Sequence, residues 1–189
     1  RENFVINLGA ESSFGPDDAS MDYPVGDMTV DSFSSQEIEG DPGAATNVLD
    51  GNPSSFWHSK WVGNYTDTER WIILKLDEET KLDALRYLPR QNAANGRINT
   101  YRVEVSSDKS DWTTVAEGNW NSDTSWKMAE FDTPTAATYV RLTGVVTDGG
   151  QNKFITAAEI RVRVARETVD LTEDGDVTLD EDIYYMDES

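Results

Sequence analysis

Ala158-Glu159-Ile160-Arg161-Val162-Arg163-Val164-Ala165 alternates with a period of two. Ile160, Val162 and Val164 point to one side and Arg161 and Arg163 to the other, as a half-buried strand requires. Working outward, seven further short runs rich in aromatic and β-branched residues are set apart by Gly, Pro, Asn and Asp. They are 28–33 (MTVDSF), 71–76 (WIILKL), 81–88 (KLDALRYL), 98–106 (INTYRVEVS), 112–116 (WTTVA), 126–131 (WKMAEF) and 138–146 (TYVRLTGVV). Eight strands punctuated by turn signals, with no long 3.6-residue period, predict an all-β fold, an antiparallel sandwich or barrel. Only 44–49 (AATNVL) reads as a turn or two of helix. There is no internal repeat.

The chain has 189 residues, enough for one all-β domain with extensions or for one domain and part of another. It has no cysteine, so neither a disulfide nor a thiolate nucleophile or metal ligand is available. A formal charge of -20 is repelled by phosphate backbones and by anionic headgroups. Nucleic acid and anionic membranes are therefore poor partners. No run approaches the ~18 apolar residues of a spanning helix. Residues 1–5 lack an apolar core, so no signal peptide is expected there.

Both ends read as flanks. Residues 1–27 hold one apolar run, Phe4–Leu8, followed by Gly, Pro and Asp punctuation. Residues 166–189 are strongly acidic. Within them, Asp170 to Glu181 nearly fits a twelve-residue calcium loop, with Thr172 out of place and no entering helix. A hairpin through 173–176 between Val169/Leu171 and Val177/Leu179, or a disordered acidic tail, explains the same residues better.

Four stretches in order carry a resemblance. They are Ala45-Thr-Asn-Val-Leu-Asp50-Gly-Asn-Pro-Ser-Ser-Phe-Trp57-His58-Ser-Lys-Trp61; Tyr87-Leu-Pro-Arg90-Gln with Asn95-Gly-Arg-Ile98; Tyr101-Arg-Val-Glu-Val-Ser106 with Asp111-Trp112; and Tyr139-Val-Arg-Leu142 with Phe154-Ile-Thr-Ala-Ala158-Glu159-Ile160. Together they resemble the discoidin, or coagulation-factor (F5/8) type C, superfamily over residues 28–165, and most of all the carbohydrate-binding modules of family 32. The resemblance implies an antiparallel jelly-roll β-sandwich of the galactose-binding-domain type.

The Asp50–Ser55 turn offers a carboxylate, carbonyls and a hydroxyl, the hard oxygen donors that Ca²⁺ takes in sets of six to eight. On local sequence alone, Asp-Gly-Asn-Pro is also simply a turn. The resemblance implies a structural calcium held by the Asp50 carboxylate, the Ser55 hydroxyl and the carbonyls of Asn47 and Asn52. To these it adds the Glu159 carboxylate and the Ala158 carbonyl. The family usually has Thr where Ser55 stands, which keeps the hydroxyl.

Similarity to family 32 also implies a sugar site at His58, Arg90 and Asn95, with Phe154 as stacking aromatic and Trp61 or Tyr65 as a second wall. Paired sugar hydroxyls suit a forked guanidinium and an amide, and the apolar ring face suits an aromatic. Each residue also has a plainer reading: His58 as a core or rim histidine, Arg90 as an ion-pair partner, Asn95-Gly96 as a hairpin turn, Phe154 as core. As site residues, the four are expected to line a solvent-open rim. Trp57, Trp71, Trp112 and Trp126 are expected in the core, while Trp120 is ambiguous.

The leading function is a non-catalytic module that binds a terminal galactose-type or N-acetylhexosamine-type sugar. It is expected outside the cell or on a bacterial cell surface, in a polypeptide with further domains. The alternative is an adhesion domain for a protein or a lipid headgroup. Nothing marks a catalytic nucleophile, since there is no G-x-S-x-G elbow and one histidine in the whole chain.

Overall fold

The computed structural model describes residues 15–63, 69–148 and 152–166. Among these residues eight strands run β1 (Met28–Phe33), β2 (Trp57–His58), β3 (Trp71–Leu88), β4 (Ile98–Ser106), β5 (Thr113–Asn119), β6 (Lys127–Thr147), β7 (Thr156–Ala157) and β8 (Glu159–Val164). The expected helical turn is a 3₁₀ turn, Ala45–Leu49.

Two pairs of predicted strands are single long ones. Segments 71–76 and 81–88 fuse into β3, and 126–131 and 138–146 into β6. The register of β3 on β6 shifts between Lys75 and Thr80 and again between Leu82 and Ala84. At such irregularities a strand bends without ending. The first half of β3 pairs with β1 and with the second half of β6, which continues to β4 and β5. Its second half pairs with the first half of β6 and with β8. All these pairings are antiparallel, and each long strand contributes to both layers of a jelly-roll β-sandwich.

The core between the layers includes Ile72, Leu74, Leu85, Tyr87, Val103, Leu142, Ile160 and Val162, all buried. Ile160 and Val162 face inward as their alternation requires. Arg161, expected on a solvent face, is instead buried: its guanidinium donates to the Val48 carbonyl (2.9 Å) and to Glu159 (2.7 Å). Among the tryptophans expected in the core, only Trp57 is fully buried; Trp71, Trp112 and Trp126 are half-buried. Trp112 and Trp126 instead carry guanidinium groups on their rings, Arg141 at 4.2 Å and Arg86 at 4.4 Å. Amphipathic Arg–Trp pairs of this kind cover a sheet while leaving an edge in water.

Part of the 1–27 segment packs on the sandwich. Tyr23 N–H donates to the Val162 carbonyl and Val164 N–H to the Met21 carbonyl, so the segment runs along β8. Tyr23 is part of the core. Asp22 pairs with Arg86, whose Nε also donates to the Pro16 carbonyl (2.8 Å). Phe4–Leu8 and the acidic stretch Asp170–Glu181 lie outside the described residues.

Candidate functional site

At one end of the sandwich a cavity of about 370 Å³ is lined by Asp41, His58, Trp61, Arg90, Asn95 and Phe154. All five residues expected at the sugar site, from three distant parts of the sequence, meet in it. Tyr65, the alternative second wall, lies outside the described residues.

The β2–β7 ribbon sets His58 opposite Thr156 and so brings Phe154 alongside, with ring centroids 5.5 Å apart. His58 is 1% exposed, not a rim residue. Its Nδ1 lies 2.6 Å from the Ser59 carbonyl, which only accepts, so the ring proton sits on Nδ1. Nε2 is then the acceptor facing the cavity, and the Asn95 amide donates to it at 3.2 Å. Burial lowers the His58 pKa, with Arg90 adding to the effect against the Ser59 carbonyl, Asp41 and Glu37. The imidazole is therefore neutral at neutral pH.

Arg90 is half-buried, with its guanidinium stacked 3.8 Å from the centre of the Phe56 ring. Nε donates to Asn92 Oδ1 (2.6 Å), which fixes the plane and leaves the two terminal nitrogens for a ligand. Asn95 is placed by Gly96, whose φ is +82° and whose missing Cβ would lie 2.7 Å from Thr156 Cγ2. That backbone accepts Thr156 N–H and donates to the Asp148 carbonyl, both at 2.8 Å. No side chain fits there without moving the ribbon that carries Phe154.

Two residues of this arrangement had no signal in the sequence. Asp41 supplies the cavity's only carboxylate among its described lining residues, and its charge acts on Arg90 without an ion pair between the two. Glu37 is fully buried and accepts four backbone N–H groups. Oε1 takes those of Glu39 and Gly40, and Oε2 those of Trp61 and Val62, at 2.8–3.0 Å. It ties the loop leading to Asp41 to the loop bearing Trp61. These bonds lower its carboxyl pKa to about 2, against an ordinary 4.5. The carboxylate therefore stabilises the fold fully above pH 4.5, and this contribution fades as pH falls toward 2. In Glu37→Gln, the deficit in melting temperature against wild type is expected to be constant above pH 5 and to narrow below it. Parallel melting curves from pH 5 to 2 check this; a gap independent of pH contradicts it.

At the start of β8, paired with Leu88 of β3, Glu159 is 3% exposed. Its Oε2 accepts from Arg161 at 2.7 Å, while Oε1 is buried with no hydrogen-bond partner among the described residues. Burial and the nearby Asp50 carboxylate raise the Glu159 pKa against the pull of Arg161. Asp50 accepts the Ser55 hydroxyl (2.6 Å) and Asn52 N–H (2.8 Å). The Asn47 amide donates to the Pro42 and Phe56 carbonyls, so of this residue only the backbone carbonyl faces the turn's own bonds, accepting from Asp50 N–H. Two neighbouring carboxylates, one with an orphaned oxygen, beside a turn of carbonyls and a hydroxyl form a donor set of the kind that hard cations take.

The chain is similar to several known proteins. A sialidase from Micromonospora viridifaciens is 32% identical over 141 residues, which cover 74% of this chain but 22% of that protein. The Clostridium perfringens module CpGH89CBM32-5, solved in complex with GalNAc-β-1,3-galactose, is 30% identical with a TM-score of 0.69. The match covers 76% of this chain and 99% of that one. The family 32 module of Clostridium perfringens NanJ, solved in complex with galactose, is 29% identical with a TM-score of 0.64, covering 75% and 97% of the two chains. The F5/8 type C domain model matches residues 30–162, which span both layers, the cavity and the Asp50–Glu159 pair. The chain belongs to the F5/8 type C domain family.

Proposed function

We propose that this chain is a non-catalytic carbohydrate-binding module that recognises a terminal galactose-type or N-acetylhexosamine-type sugar. The observation that carries this reading is the convergence of His58, Arg90, Asn95, Phe154 and Trp61 in one cavity. Arg90 presents two parallel donors and Asp41 an acceptor. His58 Nε2 and the Asn95 amide read a further hydroxyl, and Phe154 and Trp61 (37% exposed) flank the ring. The similar modules solved with galactose and with GalNAc-β-1,3-galactose support the same sugar class.

The sialidase match, confined to 22% of that protein, supports a place within a larger glycan-processing or surface polypeptide outside the cell. There, weak single-site binding would act by tethering. A glycan array probed with the intact chain tests the assignment: retention on glycans ending in galactose or N-acetylgalactosamine supports it, and a blank array or retention on anionic lipid alone contradicts it.

The second part of the proposal is a structural calcium held by Asp50, Ser55, Glu159 and the carbonyls of Asn47, Asn52 and Ala158. The orphaned Glu159 Oε1 beside Asp50 supports it. Such an ion would tie the 3₁₀-turn loop to β8. At a hundredfold excess over its dissociation constant it would stabilise the fold by about 2.7 kcal/mol. Chelation is expected to lower the melting temperature of the wild type and to leave that of Asp50→Ala unmoved. A wild-type curve indifferent to both chelator and added calcium would remove the ion from the account.

A further inference from the structure

A groove larger than the His58 cavity, and sharing no lining residue with it, lies between the end of β5 and the start of β6. It holds about 570 Å³ and is lined by Tyr101, Asn119, Trp120, Trp126, Met128 and Glu130, with Pro16, Asn121 and Lys127 at its margins. That volume is within the range of small-molecule sites.

Its aromatic surface is fixed in place. Trp120 stacks on Tyr101 (4.0 Å) and Tyr87 (5.1 Å), and its indole N–H is held by the Met128 carbonyl at 3.0 Å. Trp126 lies over the Arg86 guanidinium and is half-buried. The loop between them is braced by Asp123, which accepts Ser125 N–H at 2.8 Å and also binds Lys127. Gln91 donates to the Thr124 carbonyl at 3.1 Å, joining this loop to the one that carries Arg90.

The polar groups at the groove are left unused by the fold. Tyr101 is 9% exposed, and its hydroxyl has no hydrogen-bond partner among the described residues. The same holds for the Trp126 indole N–H and the Glu130 carboxylate. The Asn119 amide oxygen accepts from the Thr100 hydroxyl at 2.8 Å, which leaves its NH₂ for a ligand. Rigid indole surface ringed by a hydroxyl, an N–H, an amide and a carboxylate is the chemistry that recognises a sugar ring. The Glu130 carboxylate and the occupied Lys127 disfavour an anionic one.

We propose that this groove is a second carbohydrate site, taking a neutral pyranose that stacks on the Trp120–Trp126 surface and hydrogen-bonds to Tyr101, Trp126 and Glu130. It stands independently of the His58 cavity. The test is an NMR titration of the whole chain with lactose, GalNAc-β-1,3-galactose and cellobiose, following the Trp126 indole N–H and the His58 ring signals separately. In Arg90→Ala the Trp126 signal is expected to move and saturate with at least one probe at millimolar concentration. Tyr101→Phe should weaken that response, and Trp126→Ala, read at the Trp120 indole N–H, should weaken groove binding by about tenfold or more while His58 still responds. A Trp126 signal unmoved by all three sugars overturns the proposal, as does one that moves in wild type and is abolished by Arg90→Ala. Movement of Trp126 with a silent His58 ring would instead sink the cavity assignment and leave the groove standing.

Discussion

A chain that begins at Met28 is expected to fold poorly or not at all. It lacks Tyr23, whose ring is 5% exposed within the core, and the loss of a buried aromatic costs about 3 kcal/mol or more. It also lacks Asp22 and the Pro16 carbonyl, both partners of the Arg86 guanidinium, which is 2% exposed. Stranding one partner of a buried ion pair costs about 3–5 kcal/mol. Together these losses rival the whole stability of a domain this size, about 5–15 kcal/mol. A far-ultraviolet melting curve of the shortened chain beside the full one decides the matter. A midpoint within a few degrees of the full chain would show that residues 1–27 are only a flank. We therefore propose that the folded unit begins before Asp22.

Arg90→Ala is expected to weaken sugar binding by about a hundredfold or more with little change in melting temperature. The substitution removes two charge-assisted donors, a loss of about 3 kcal/mol or more, from a half-exposed residue whose structural contacts are Phe56 and Asn92. His58→Ala differs in kind. His58 is buried against Ser59 and Phe154, so its truncation should lower both affinity and stability. Acid should mimic it. Burial keeps the imidazole neutral to below its ordinary pKa of 6.5, so affinity should hold steady at neutral pH and fall only below that value. There Nε2 gains a proton and can no longer accept from Asn95. Calorimetric titration of Arg90→Ala with galactose, beside a melting curve, checks the first expectation. Wild-type affinity, or lost binding through unfolding, would refute it.

Much of this was legible in the sequence because strand periodicity and turn chemistry are local. The 98–106 and 28–33 strands were bounded correctly from pattern alone. The breaks predicted within β3 and β6 were not real. Asp77–Thr80 and Thr133–Thr135 carry turn residues, but the chain passes through them as irregular, bent strand. Arg161 looked like a solvent-facing residue because alternation cannot show that a 3₁₀ turn later covers that face. Family resemblance picked out the polar residues that the structure gathers in one cavity, whereas it did not pick out Glu37 and Asp41. Their roles depend on two loops folding toward each other, which only the tertiary structure displays. Asp22 was hidden for the same reason: its partner Arg86 lies in a different strand, and nothing local announces the pair.

The most direct test of the central claim is a crystal structure of the chain grown with galactose or GalNAc-β-1,3-galactose. The account predicts the terminal sugar in the His58 cavity, with adjacent hydroxyls on the Arg90 guanidinium, another donating to Asp41 or His58 Nε2 and accepting from the Asn95 amide, and the ring face against Phe154 or Trp61. A cavity empty at saturating sugar, or a sugar bound without contact to Arg90, would contradict it.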